Sequence, residues 1–212
     1  RKEKAINLAK QHGYKIKPLN INYSESTWKI EGEDRLIAPL TGIKGFGDAA
    51  FDQVLANRPF NTIDELLFHD DVKYSKLNKK ALDVLCRAGA LGDLIDERFT
   101  GDKHFWSAAI VDRPKNRKKF DENIETYRPE GSFTEDEKIG FFADLTGIFP
   151  VSMVMSQRIM DKLNSKGVPP ISEYDRDLMY CWGIIRSVTK KKTKNGKPFF
   201  VVKVIDSNSV ET

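Results

Sequence analysis

The strongest local constraint in this 212-residue sequence is a pair of glycines directly before an amphipathic helix. The stretch Thr41–Arg58 reads TGIKGFGDAAFDQVLANR, and within it Gly45 and Gly47 flank Phe46. Glycine lowers helix stability by roughly 1 kcal/mol relative to alanine, and it tolerates positive φ. Two glycines at this place predict a tight turn. The turn is either a plain connection between helices or a place where the backbone approaches another molecule.

The backbone chemistry of this turn suits an anion. The first N–H groups of a helix lack partners inside the helix, and the helix dipole favours negative charge there. Glycines leave these groups accessible, while an inward-turned Phe46 would pin the turn to the core. With Ile43 before it and Ala49 and Ala50 after it, the string is typical of a helix-hairpin-helix motif. Such a turn contacts DNA phosphates without reading bases. The predicted contacts are Lys44, Gly45, Phe46, Gly47 and Asp48.

Two basic runs add to this indication, although the net charge of only +4 is modest. Residues 113–119 read RPKNRKK, with five basic residues in seven, and residues 186–197 read RSVTKKKTKNGK, with six in twelve. Such runs are commonly solvated faces or linkers. Two of them beside a phosphate-type turn favour nucleic acid. The predicted contacts in the second run are Arg186, Lys190, Lys191, Lys192, Lys194 and Lys197.

Other compositional features narrow the class of protein. No stretch approaches the roughly 18 apolar residues of a membrane span, and no signal peptide is visible. Cys86 and Cys181 lie in apolar sequence and are expected to be thiols rather than a disulfide, which fits a cytosolic protein. No Cys/His spacing indicates zinc. The three histidines are expected at the surface or in loops rather than as metal ligands: His12, His69 and His104.

The residue pattern predicts a mainly α chain with a small C-terminal β part. Short helices are predicted over residues 2–12 and 48–57. A third is predicted to begin after a cap at Asn61 or Thr62, and a fourth to end near Gly89. The charged, aliphatic-poor stretch 101–135 is predicted to be a linker. From residue 178 onward β-branched and aromatic residues predict two strands joined by a hairpin at Asn195–Gly196.

Segments of this sequence, taken in order, resemble the alpha subunit of bacterial DNA polymerase III, a C-family replicative polymerase. INLAKQHGYKIKPLNINYSESTW resembles the end of that family's fingers region, and GIKGFGDAAFDQVLANRPFNTIDELL its helix-hairpin-helix. LNKKALDVLCRAGALGDL resembles the segment that follows. The resemblance continues with EKIGFFADLTGIFPV, which is similar to the family's helix before the OB-fold. It ends with GIIRSVTKKKTKNGKPFFVVKVIDSNSVE, which is similar to the family's first OB strands.

The resemblance implies a helix-hairpin-helix domain followed by a truncated OB-fold. It implies five segments: 1–35 as the end of the fingers region, 36–100 as the helix-hairpin-helix domain, 101–135 as the linker, 136–176 as a helical connector and 177–212 as the start of the OB-fold. An OB-fold has five strands, of which two or three are present. The sequence begins without methionine and ends within a strand pattern, so a piece of a larger protein is expected.

The function implied by the resemblance is DNA binding within a DNA polymerase. The hairpin would grip the backbone of the duplex that leaves the active site, and the OB-fold would approach single-stranded template. The family's catalytic aspartates lie in an upstream palm domain, so no catalytic residue and no cofactor are expected here. Mg²⁺ is expected in the parent's active site. Partners would be DNA and the rest of the polymerase chain, without a membrane, in the bacterial or phage-infected cytoplasm.

Two departures from the family pattern leave other interpretations open. The stretch 146–150, TGIFP, stands where the family commonly has a Ser-Gly-His-Pro type turn. No Gln-plus-hydrophobic peptide for a sliding clamp is evident in residues 101–135. The first alternative is a repair or recombination protein that carries the same DNA-binding motif. The second is a protein-interaction module in which the turn is only structural.

Overall fold

The computed structural model describes residues 5, 6, 8, 9, 12–147 and 151–206. The chain divides into two compact units. One unit is Gly13–Ile148, and the other combines Arg1–His12 with Phe149–Thr212.

A small three-stranded sheet opens the 13–148 unit. Its strands are β1 (Lys15–Lys17), β2 (Lys29–Glu31) and β3 (Arg35–Ile37). β3 lies in the middle, parallel to β1 and antiparallel to β2. The residue pattern did not predict these strands. Strands of three residues are too short for a period-two pattern to be recognised.

Helices make up most of the remainder of this unit. They are α1 (Asp48–Asn57), α2 (Ile63–Phe68), α3 (Lys79–Arg87), α4 (Asp102–Trp106), α5 (Arg117–Tyr127) and α6 (Glu135–Thr146). Short 3-10 turns occupy Leu40–Gly42, Gly92–Leu94 and Arg128–Glu130. A π-helical turn, Ser107–Val111, continues α4.

Side-chain caps explain where several of these helices begin. At α2 the Thr62 hydroxyl accepts from the N–H of Glu65 (3.3 Å), so of the two predicted caps Thr62 is the one used. The Asn78 side chain accepts from the N–H of Ala81 at the start of α3 (3.0 Å). Thr134 and Glu137 form a reciprocal capping box at α6. Each such cap is worth about 1 kcal/mol.

One hydrophobic cluster fills the centre of the 13–148 unit. α1 contributes Phe51 and Val54, which are almost fully buried, as the sequence pattern predicts. Leu55, which the same pattern places on the buried face, is exposed instead. α3 has its apolar residues at helical spacing, so one side of that helix is buried along its whole length. The buried residues of α3 are Ala81, Leu82, Val84 and Leu85.

The predicted linker, residues 101–135, needs correction because it is a packed part of this unit. Phe105, Phe120 and Ile124 from this stretch are buried in the central cluster. Phe99 contacts Phe105 edge-on, with ring centroids 5.1 Å apart. The stretch looks like a linker because its few apolar residues are scattered among many charges, and only the fold directs them to one side. The boundaries of the other implied segments stay a prediction.

His104 also differs from its prediction as a surface or loop residue. It is fully buried at the start of the corrected segment. Its Nδ1 accepts from the N–H of Thr100 (3.0 Å), so Nε2 carries the proton and donates to the carbonyl oxygen of Ile124 (2.7 Å). With both ring nitrogens satisfied by neutral groups, this histidine connects α4 to α5 and has a structural role.

The other unit combines helical turns with a β-hairpin. Residues 5, 6, 8 and 9 are helical, and the remainder of the predicted helix 2–12 lies largely outside the described residues. The later elements are α7 (Val151–Val154), α8 (Gln157–Ser165), a 3-10 turn at Ile171–Glu173, β4 (Ile184–Lys192) and β5 (Pro198–Ile205). β4 begins at Ile184, six residues later than the pattern indicated.

The predicted hairpin at Asn195–Gly196 is confirmed. Gly196 has a φ of 76°, and its N–H donates to the carbonyl oxygen of Thr193 (3.0 Å). The base of the hairpin is anchored within its own unit, because the buried Asp206 carboxylate accepts from the N–H of Ser172 (2.7 Å). The end of the implied OB segment, residues 207–212, lies outside the described residues.

The predicted fold class is confirmed: the chain is mainly α with a small C-terminal β part. Residues 48–94, all of which the structure describes, contain no strand. Cys86 and Cys181 are free thiols, as predicted, and burial raises the pKa of Cys86. Within the described residues, no helix has the length and apolar character that crossing a membrane requires.

Phe120→Ala tests whether residues 101–135 belong to the folded core. Phe120 is 1% exposed, so removing its ring should lower the free energy of unfolding by about 3–5 kcal/mol. Leu55→Ala, at a position that is 47% exposed, should change it by less than about 0.5 kcal/mol. Urea unfolding followed by circular dichroism measures both. Equal, small effects of the two substitutions would restore the linker interpretation.

Candidate nucleic-acid interface

The candidate site is the turn from Lys44 to Ala49, which follows the 3-10 turn at Leu40–Gly42 and includes the first two residues of helix α1. Gly45 has a φ of 91°, a left-handed conformation that residues with a side chain rarely adopt. Gly47 is the N-cap of α1, with an extended backbone (φ −97°, ψ 168°) and no side chain to cap the helix. The two glycines therefore have different roles. The backbone conformation favours glycine at position 45, whereas any residue could adopt the extended backbone at position 47.

Phe46 points inward from this turn, as the sequence predicts for an anchor, so of the predicted contacts its side chain is the one that is not exposed. Its side chain is 4% exposed and belongs to the central cluster together with Ile43. The N–H of Phe46 donates to the carbonyl oxygen of Ile43 (3.1 Å), which closes the turn. Burial of one large ring between two exposed glycines holds the backbone of the turn at the surface.

Four backbone donors of this turn are exposed and unused. Within the described part of the chain, no hydrogen-bond acceptor is present for the N–H groups of Gly45, Gly47, Asp48 and Ala49. All four residues are exposed. The N–H groups of the next two residues are satisfied, since those of Ala50 and Phe51 donate to the carbonyl oxygen of Gly47 (3.0 and 3.1 Å). Unused donors at the start of a ten-residue helix form a place that favours an anion.

Contacts with two other helices fix the position of the turn. The N–H of Lys44 donates to the carbonyl oxygen of Leu145 near the end of α6 (2.7 Å). On the other side, Lys80 and Val84 of α3 lie against Gly45. A Cβ built on Gly45 would be 3.7 Å from Cε of Lys80 and 3.6 Å from Cγ1 of Val84. These distances are ordinary van der Waals contacts.

Lys80 is a cation of the site that the sequence analysis missed. It is separated from the turn by more than thirty residues and sits on a different helix. No local pattern relates it to Gly45, and only the packing of α3 against the turn brings them together. Its neighbour Lys79 donates from Nζ to the carbonyl oxygen of Val111 and is engaged in holding the fold.

Asp48 is the predicted site residue that fits an anion site least well. It is exposed in the first turn of α1, where its carboxylate interacts favourably with the helix dipole. Among the described residues, no group forms a capping hydrogen bond with its side chain. A carboxylate here stabilises the helix but repels a phosphate, so its backbone N–H is the useful group.

The remaining predicted contacts lie on the hairpin of the other unit. All of them are exposed, and they occupy β4 and the turn that follows it: Arg186, Lys190, Lys191, Lys192, Lys194 and Lys197. The strand register divides them between two faces, because directly opposed residues of an antiparallel pair share a face. Lys190 is opposite Phe200, and Lys191 is opposite Phe199.

The two faces of this hairpin differ in chemistry. Through the register, the Phe200 face carries Lys190 and Lys192 together with Ile185, Val188 and Val202, all exposed. The Phe199 face carries Ser187, Thr189, Lys191 and Lys203, together with the half-buried Val201 and the buried Ile205. Each face has two lysines, and the first has exposed aliphatic side chains where the second has hydroxyls. The second has hydroxyls and cations around one aromatic ring.

Comparison with known protein families identifies the segment that contains the turn. Residues 13–100 match the family described as "Helix-hairpin-helix motif". The matched range covers the small sheet, the turn and helices α1 to α3.

Comparison with individual proteins extends the similarity to nearly the whole chain. The DNA polymerase III subunit alpha of Aquifex aeolicus (strain VF5) is 27% identical over 216 residues, which cover 98% of this chain and 18% of that protein. Its counterpart in Thermotoga maritima is 25% identical over 79% of this chain and 20% of its own length. That of Pseudomonas aeruginosa is 34% identical over 35% of this chain and 7% of its own. The chain thus spans about a fifth or less of these relatives, and the resemblance seen in the sequence is confirmed.

Substitutions at the two glycines should separate their conformational roles. Gly45→Ala should lower the free energy of unfolding by about 1–2 kcal/mol, because its φ is left-handed. Gly47→Ser should leave it unchanged or raise it by a few tenths of a kcal/mol, because serine is a better N-cap in an extended backbone. Thermal unfolding measures both changes. A destabilising Gly47→Ser, or a neutral Gly45→Ala, would contradict this description of the turn.

Proposed function

We propose that this chain is a DNA-binding region of a replicative DNA polymerase. Two findings support the proposal: the chain carries a helix-hairpin-helix segment, and it is similar along nearly its whole length to DNA polymerase III alpha subunits. The turn at residues 44–49 grips the backbone of duplex DNA. The observation that carries this proposal is the set of four exposed, unpartnered N–H groups at Gly45, Gly47, Asp48 and Ala49.

The chemistry of this turn favours binding that ignores base sequence. Backbone N–H groups donate to phosphate oxygens, which are the same at every nucleotide. No side chain at Gly45 or Gly47 holds a phosphate away, and the open donors are main-chain groups that are the same whatever base is nearby. Lys44, which directly precedes Gly45, and Lys80, which lies against Gly45, add positive charge near the exposed donors. Binding of this kind weakens with salt, with a slope of about −0.9 per phosphate neutralised.

The parent protein is proposed to be a DNA-directed DNA polymerase, with this chain behind its active site. We assign no catalytic residue to the chain, and Mg²⁺ belongs to the parent's active site. DNA and the rest of the polymerase chain are its proposed partners, in the bacterial or phage-infected cytoplasm. Its similarity to polymerase alpha subunits along 98% of its length favours this role over a repair or recombination protein. A sliding-clamp contact is not assigned to any residue.

The hairpin of β4 and β5 is proposed to approach single-stranded template as the beginning of an OB-fold. OB-folds hold single strands with cations and aromatic rings on which bases stack. The Phe199 face offers that combination, with Lys191 opposite the ring and Thr189 and Ser187 as hydrogen-bonding neighbours. On the Phe200 face Lys190 lies opposite the ring in the same way, but the neighbouring Val188 and Val202 are aliphatic and offer no hydroxyl. The alternative role for these lysines is to keep an edge hairpin soluble.

Gly47→Asp compared with Gly47→Asn tests the anion site at the turn. The two side chains are nearly isosteric, both are good N-caps, and neither should destabilise α1. Only aspartate places a negative charge on the exposed donors, so it should weaken duplex binding at least roughly tenfold more than asparagine does, about 1.4 kcal/mol. Fluorescence anisotropy with two unrelated duplexes at several salt concentrations measures binding, and thermal unfolding checks the fold.

Three outcomes would contradict the proposed function. The first is equal binding by the Asp and Asn variants, which would make the turn purely structural. The second is wild-type binding that does not respond to salt. The third is strong preference for one duplex sequence, because backbone donors cannot distinguish bases.

Matched double variants of the hairpin test which of its faces contacts a single strand. Phe199→Leu with Lys191→Gln removes a ring and a charge from one face, and Phe200→Leu with Lys190→Gln removes the same groups from the other. The first should weaken binding of an oligo(dT) strand by about tenfold, because stacking contributes about 1–3 kcal/mol per base. The second should have a smaller effect. Equal losses would contradict the choice of the Phe199 face, and no loss in either variant would leave the lysines with a solubility role.

A further inference from the structure

The basic run at residues 113–119 divides into engaged and free cations. The Arg113 guanidinium donates to the carbonyl oxygen of Leu77 (3.1 Å) and lies over the Tyr74 ring, 4.2 Å from its centroid. Burial lowers the pKa of Arg113, which has a structural role. Lys119 pairs with Asp112 (3.3 Å). The three others are exposed and make no ion pair within the described residues: Lys115, Arg117 and Lys118.

Two of these free cations lie at the start of a helix, where the helix dipole is unfavourable for positive charge. Arg117 and Lys118 occupy the first turn of α5, and this turn contains no acidic residue. The positive end of the helix dipole repels cations there. By contrast, α2 and α6 both begin with acidic residues. Asp121 and Glu122, one turn further along α5, form no ion pair with Arg117 or Lys118. An external anion would relieve this repulsion.

The start of α3 connects this segment to the candidate turn. On one side Lys80 lies against Gly45. On the other side Lys79 donates to Val111, and Leu77 accepts from Arg113. The turn, the first residues of α3 and the segment that begins at Val111 are therefore consecutive neighbours in one unit. Lys80 and the three free cations form what we call the basic strip: Lys80, Lys115, Arg117 and Lys118.

We propose that the phosphate-binding surface of the turn continues along the basic strip, so that the backbone of a DNA duplex is held at two places. This inference rests on the proposed function, because it extends the same contact to a second segment. The ligand chemistry is a run of phosphodiesters, which point charges on lysine and arginine neutralise without regard to base sequence. The strip adds electrostatic attraction, and the turn adds directed hydrogen bonds.

The test compares two triple variants that remove identical residue types. The strip variant is Lys115→Gln, Arg117→Gln and Lys118→Gln. The control is Lys15→Gln, Lys29→Gln and Arg35→Gln on the small sheet, where each cation is exposed and has a surface ion pair. Both variants have the same net charge. Duplex binding by the intact chain is measured by anisotropy across a range of salt concentrations, and Lys80→Gln is measured alongside.

The expected result is a change in the salt dependence that is specific to the strip. The slope of log K against log salt should become shallower by about 2–3 in the strip variant and by about 0.9 in Lys80→Gln. The control should retain a slope close to that of the wild type. The strip variant should unfold at the same or a higher temperature, since it removes repulsion from the first turn of α5.

The remaining outcomes separate this inference from the proposed function. A wild-type slope in the strip variant, together with lost binding in Gly47→Asp, would overturn the inference and leave the turn as the DNA contact. Equal changes in the strip and control variants would also overturn it, because binding would then follow net charge. Absence of salt-dependent duplex binding by the wild-type chain would contradict both.

Discussion

The central hydrophobic cluster is the interaction on which every part of the candidate site depends. Phe46 and Ile43 bring the turn to this cluster, and Val84 on α3 and Leu145 on α6 belong to it as well. Because all of these side chains pack into one core, the backbone between them has little freedom. The exposed N–H groups of the turn are therefore preorganised, and an anion would not have to order them on binding.

Because of this packing, the three central residues of the turn have different roles. Gly45 supplies the left-handed φ that reverses the chain, Phe46 supplies the anchor, and Gly47 leaves the N-cap of α1 without a side chain. A stronger N-cap such as serine would stabilise the helix but would occupy a donor. A phosphate contact requires open N–H donors at the surface. Gly47 leaves them open, although another N-cap residue would make the helix more stable.

The charges of the 13–148 unit fall into two groups. Many are engaged in the fold: Arg98 joins Asp64 and Asp96, both at 2.7 Å, and Arg87 pairs with Asp83. The pKa of Asp96 is lowered, chiefly by its hydrogen bond to Arg98. The cations beside the turn and on the basic strip have no such partners among the described residues. The net charge of the chain is small, so this distribution matters more to a polyanion than the total does.

The sequence by itself determined the features that depend on neighbouring residues. These are the glycine turn with its inward Phe46, a capped start of α2 at Asn61 or Thr62, the burial of Phe51 and Val54 on α1, and the hairpin at Asn195–Gly196. Each is specified within a few residues by backbone conformation or by side-chain spacing. Only the tertiary structure decided that residues 101–135 belong to the core, that His104 is buried, and that Lys80 lies beside Gly45. Those outcomes depend on contacts between residues distant in sequence, where charge-rich composition hides the few apolar side chains that pack.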